Sequence, residues 1–152
     1  MASDGQFTLT LVQQQDYQFL AQFDNSAVPP LLLDASAPLG QDQGPNASRL
    51  LVTAVADCLA TSLLFALRKF HYDPTAIQAV ATATIGRNAD KRQRITAIEV
   101  MLTLGQPAAN FPELPRILAQ FENFCTVSAS VGAAIDIRTQ VQDSDGVVVK
   151  AV

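Results

Sequence analysis

Cys58 and Cys125 are the residues of this sequence best suited to chemistry, because a thiolate can attack electrophiles, be oxidised reversibly and pair with a second thiol. Two cysteines in 152 residues do not make a disulfide scaffold. They are either small buried hydrophobes, as cysteine often is, or a pair of reactive thiols. A polar stripe supports the second reading: Thr53, Asp57 and Thr61 recur at helical spacing, and Cys58 lies about 100° round the helix from Asp57. Other chemistries are poorly supplied. His71 is the only histidine, and ligand-like spacings around the cysteines are missing, so no metal and no cofactor are expected. One histidine in a turn with Tyr72 and Asp73 does not make a Ser-His-Asp arrangement. Gly40 and Gly44 lack the strand-to-helix spacing of a phosphate loop. Glu99, Glu113 and Glu122 fall on solvated faces of an alternating strand and an amphipathic helix.

The elements that must carry these thiols follow from periodicity. Phe7, Leu9 and Leu11, then Tyr17, Phe19 and Ala21, alternate with a period of two, and Leu31–Leu33 adds a third short strand. Ser36–Pro45 is a loop punctuated by Pro38, Gly40, Gly44 and Pro45. From Asn46, a plausible N-cap, about 23 residues to Lys69 contain no Gly or Pro, a helix of roughly 34 Å. It is apolar nearly all round, so it belongs in the centre of a structure, with Arg68 and Lys69 where the helix dipole favours cations. Strands are expected at 77–85 and 95–104, joined by the charged tip Arg87, Lys91, Arg92 and Arg94, which reads as a solvated hairpin. A second helix spans 113–124, Cys125 follows it, and Ile135–Val141 is a last strand before a turn at Asp143–Gly146 and a short tail. The layout is α+β: antiparallel strands around a long buried central helix, in a single domain over residues 1–152.

Composition narrows the partners. The hydrophobic fraction of 49% against 16% charged is oily for a monomer, which suggests apolar surface covered by a second copy. A net charge of -4 with no basic patch argues against nucleic acid. Residues 1–6 carry no positive leader region. A span through Leu50–Leu67 would carry Asp57 at a cost of roughly 2.5–3.5 kcal/mol. A cytoplasmic protein that does not enter the membrane is the expectation, and the sequon at Asn46-Ala47-Ser48 is then accidental.

Two segments carry a family resemblance. Gly44-Pro45-Asn46 followed by an apolar helix, with the cysteine twelve residues after the Asn, resembles the central-helix signature of the OsmC/Ohr family. Phe124-Cys125-Thr126-Val127-Ser128 resembles that family's second cysteine run, and the order of elements between the two also matches. The resemblance implies an OsmC-like fold assembled as an intertwined homodimer, with a thiol-dependent peroxidase acting on organic hydroperoxides. It implies Cys58 as the peroxidatic thiol and Cys125 as the resolving one, joined in a sulfenic acid–disulfide cycle. A dithiol reductant, in the best-known members a lipoyl group on a protein, would return the disulfide to thiols.

The sequence departs from the family pattern where it matters for reactivity. Active members place a Glu in the first turn of the central helix, paired with an Arg from the N-terminal strands that holds the thiolate. Here that position reads Ser48, and no Arg or Lys precedes Arg49. Asp57 beside Cys58 would also disfavour a thiolate. Arg49 starts about 13.5 Å from Cys58 along a straight helix, too far to serve its own cysteine, and is expected to snorkel over the surface. A rival reading follows: a non-catalytic dimer binding a small apolar ligand in the interfacial pocket.

Overall fold

A computed structural model of the chain describes residues 5–152. The leader reading of residues 1–6 therefore falls largely outside the described residues. The chain divides into two compact units, one ending at Leu50 and one running from Leu51 to Val152.

The first unit is an antiparallel meander of β1 (Leu9–Gln13), β2 (Phe19–Phe23) and β3 (Leu31–Leu33), in the order β1-β2-β3. Leu11 faces Ala21 across the first pair and Leu20 faces Leu32 across the second. The loop after β3 is built around one carboxylate. Asp34 is buried and accepts the backbone N–H groups of Gln41 and Gln43, each at 3.1 Å, and the side-chain amide of Gln18 at 3.5 Å. Burial pulls its pKa upward, but the Gln43, Gln41 and Gln18 donors outweigh it and leave the carboxyl below its ordinary value. Gly44 crosses so close to β3 that a Cβ would lie 2.1 Å from the Leu32 carbonyl oxygen. Only glycine permits that approach.

The loop delivers the chain to α1 (Ala47–Lys69) through Asn46. The Asn46 side-chain oxygen accepts the Arg49 N–H at 2.9 Å, as an N-cap should, and its amide donates to Ser36 Oγ at 2.9 Å. The helix is long and apolar enough, by length and composition, to cross a membrane. Within this chain it is buried along one face, through Val55, Leu59, Ser62, Leu63, Ala66 and Leu67. The other face exposes Thr53, Ala54, Asp57, Thr61 and Phe65. It ends in a Schellman turn, with the Tyr72 N–H on the Leu67 carbonyl, the His71 N–H on the Arg68 carbonyl and His71 itself at φ +62°.

The second unit sets α1 beside a four-stranded sheet in the order β4-β5-β6-β7, comprising β4 (Gln78–Arg87), β5 (Gln93–Thr103), β6 (Asp136–Gln142) and β7 (Val148–Lys150). The inward residues Ile98, Val100 and Leu102 of β5 and Val141 of β6 share one cluster with Leu59, Leu63 and Leu67 of α1. The tip between β4 and β5 is ordered by Asn88, whose side-chain oxygen accepts the Asp90 and Arg92 N–H groups.

Three features depart from the periodicity reading. β5 and β6 run parallel, with Ile98 opposite Ile137, whereas antiparallel strands were expected throughout. A parallel pair needs a crossover, and the Leu104–Ile135 segment with its short helices supplies one. The single helix expected at 113–124 is two pieces, α2 (Leu114–Leu118) and a 3-10 turn at Phe121–Phe124, because Gln120 swings to φ -129° as Phe121 turns fully into the core. The tail returns as β7, held by Asp143, which accepts N–H groups from Ala108, Asp145 and Val147 at 3.0 Å each.

Candidate thiol site

Cys58 and Cys125 come together in the second unit. Cys58 sits on α1 at the border between its buried and exposed faces and is half-buried. Cys125 is 1% exposed and lies where the 3-10 turn ends and α3 (Thr126–Val131) begins. It is the N-cap of α3: its Sγ accepts the Ser128 N–H at 3.4 Å, while Ser128 Oγ donates to the Cys125 carbonyl at 3.3 Å. A sulfur can fill the place a serine oxygen usually takes, because the first N–H groups of any helix lack intrahelical partners.

The two thiols are neighbours close enough for Cys58 to act on the ionisation of Cys125. Burial pushes the Cys125 thiol above its ordinary pKa, and its hydrogen bond to Cys58 and the charge of an ionised Cys58 act in the same direction. The Ser128 hydroxyl and N–H oppose this without reversing it. Cys125 is thus a protonated, shielded thiol, and Cys58 is the member of the pair that solvent reaches.

The remaining residues singled out by sequence lie apart from this pair or are otherwise occupied. Asp57 is exposed, with Thr53 and Thr61, on the outer face of α1. His71 closes that helix more than three turns beyond Cys58. Arg49, in the first turn of α1, forms an ion pair at 3.6 Å with Asp42 of the loop that precedes the helix. Of the glutamates expected to be solvated, Glu99 pairs with Arg138 and Glu113 accepts the Tyr72 hydroxyl. Glu122 is partly solvated: its side chain is 39% exposed, while its Oε1 is enclosed and met by Lys150 Nζ at 2.8 Å. Among the described residues no group of three or more His, Cys, Asp or Glu side chains could hold a metal ion.

Sequence reasoning missed Ser128 as the donor to Cys125, although its spacing three residues after the cysteine is that of an N-cap and its partner. It also missed Phe65 and Phe124, which are half exposed and meet edge to face with centroids 6.4 Å apart.

Comparison with known proteins agrees with this architecture. The model of the OsmC-like protein family matches residues 40–140. No curated protein matches the chain. Among solved structures, a proposed osmotic stress induced and detoxification response protein from Psychrobacter arcticus 273-4 superposes with a TM-score of 0.77 at 20% identity, covering 93% of this chain and 100% of its own. An OsmC-like protein from Mycoplasma pneumoniae gives 0.74 at 14% identity, over 93% of this chain and 99% of its own. An organic hydroperoxide resistance protein from Legionella pneumophila, also described as a redox protein, gives 0.70 at 11% identity, over 93% and 99%. Fold, order of elements and family match converge: this chain belongs to the OsmC-like protein family.

Proposed function

We propose that the protein is a thiol-dependent peroxidase that reduces organic hydroperoxides through Cys58 and Cys125. The observation that carries this reading is the pairing of a half-buried thiol on α1 with a buried thiol beside it that burial keeps protonated. Membership of the OsmC-like family, and neighbours described as organic hydroperoxide resistance proteins, support it.

In this cycle the Cys58 thiolate attacks one peroxide oxygen, the O–O bond breaks, and an alcohol leaves with a proton from solvent. Cys58 becomes a sulfenic acid. The Cys125 sulfur then attacks Cys58 sulfur, water departs, and a disulfide forms. A dithiol, which itself becomes a disulfide, restores both thiols. A lipoyl-bearing protein has the required chemistry.

The missing Arg and Glu set the rate. No cation is contributed by the N-terminal strands, and Arg49 is engaged by Asp42. Slow turnover near neutral pH follows, since a nearby cation is what favours the attacking thiolate. The same missing charges favour a second reading, a non-catalytic protein holding a small apolar ligand.

The whole chain is proposed to work as one domain, since the family match runs across the junction of the two units. Exposed Phe7, with Leu9, Leu11 and Val12 of β1, favours assembly as a homodimer, for which we propose a cytoplasmic location. Cys125→Ser tests the cycle. Peroxide should still oxidise Cys58, but the sulfenic acid should persist and be captured by dimedone. If the variant yields no trapped sulfenic acid, Cys58 is not the attacking thiol.

A further inference from the structure

In an acidic protein, one cleft of the second unit is lined by two cations and no acid. It occupies about 100 Å³ between the end of α1 and α2, with Phe65, Lys69, Phe70, Arg116 and Phe124 in its walls. Lys69 Nζ stands 4.8 Å from the Phe65 ring centre and 5.6 Å from that of Phe124. The Arg116 guanidinium stands 5.7 Å from the Phe70 ring centre. Among the described residues, neither cation is in an ion pair; the cations that are paired are Arg49, Arg138 and Lys150.

Aromatic faces hold a cation in place through the ring quadrupole and leave its remaining N–H donors pointing elsewhere. Lys69 and Arg116 thus stand at the cleft's solvent-exposed rim, set against phenyl rings and without a carboxylate partner. The carboxyl end of α1 contributes only about half a negative charge there, less than the two unit charges opposite. A volume of about 100 Å³ equals the space of roughly three waters, enough for a carboxylate and its neighbouring carbon. The half-exposed faces of Phe65 and Phe124 extend the surface outward as an apolar shelf.

We propose that this cleft is a binding site for a small organic acid, with the carboxylate between Lys69 and Arg116 and the hydrocarbon chain or ring on Phe65 and Phe124. Neither cysteine lines the cleft, and Lys69 lies about three turns along α1 from Cys58, so the bound acid occupies a place of its own. The site does not depend on the thiols being reactive.

The test compares octanoate with its neutral counterpart octanamide, titrated into the full chain and followed by amide NMR shifts. Octanoate should bind on the order of tenfold more tightly, as one charge-assisted contact implies, with shifts centred on Lys69, Arg116 and Phe124. Lys69→Met and Arg116→Met keep the apolar stems and should each reduce the preference, the double variant abolishing it. Added salt should weaken octanoate alone. Equal affinity for the two probes, or a preference that survives in the double variant, would overturn the site and leave these cations to an acidic protein surface or to solvent.

Discussion

Replacing Cys58 with serine is expected to lower organic hydroperoxide consumption on the order of a thousandfold or more, about 4 kcal/mol in barrier. A serine hydroxyl does not ionise near neutral pH and is a poor nucleophile toward a peroxide oxygen. The side chain is half-buried at the edge of the exposed face of α1, so one oxygen for sulfur should leave the fold intact. The check is peroxide consumption with a dithiol in excess, alongside circular dichroism to show the helix content unchanged. A folded Cys58→Ser protein that keeps its rate would transfer the chemistry elsewhere. The same variant should bind octanoate like the parent, which separates the thiol pair from the cationic cleft.

Gly44→Ala is expected to cost about 3 kcal/mol, at the upper end of overpacking penalties. The new Cβ would stand 2.1 Å from the Leu32 oxygen and 2.9 Å from its carbon. Both obstacles are backbone atoms of β3, which is hydrogen-bonded to β2 and cannot step aside as a side chain would. Moving the loop instead would strain the Asp34 contacts to Gln41 and Gln43 and the Asn46 cap on α1. Urea unfolding of parent and variant measures the difference. A loss below about 1 kcal/mol would mean that the loop relaxes freely and that glycine is not required there.

These two positions also illustrate what the sequence made legible. The Gly-Pro-Asn run and the long stretch without Gly or Pro marked the start and length of α1, because capping and helix propensity act over a few neighbouring residues. The alternating strands were equally plain, since Ile98, Val100 and Leu102 turn to the core while Glu99 and Met101 turn away. The break at Gln120 was hidden, because Leu114, Ile117, Leu118 and Phe121 keep helical spacing while the backbone between them does not stay helical. The parallel pairing of β5 with β6 was hidden too, as strand direction is set by the crossover and leaves no mark on alternation. Apolar composition marked α1 as central, yet one of its faces is exposed in the single chain. Both cysteines were singled out from their type and from family resemblance. Their proximity was not legible, because it depends on the 3-10 turn that carries Cys125 back toward α1.

The most direct test of the central claim counts free thiols during a single turnover near pH 7, with one equivalent of an alkyl hydroperoxide and no reductant. If Cys58 and Cys125 work as a pair, each equivalent should remove both thiols and leave one intramolecular disulfide between them. Retention of both thiols while the peroxide persists would contradict the thiol cycle and favour the ligand-binding reading.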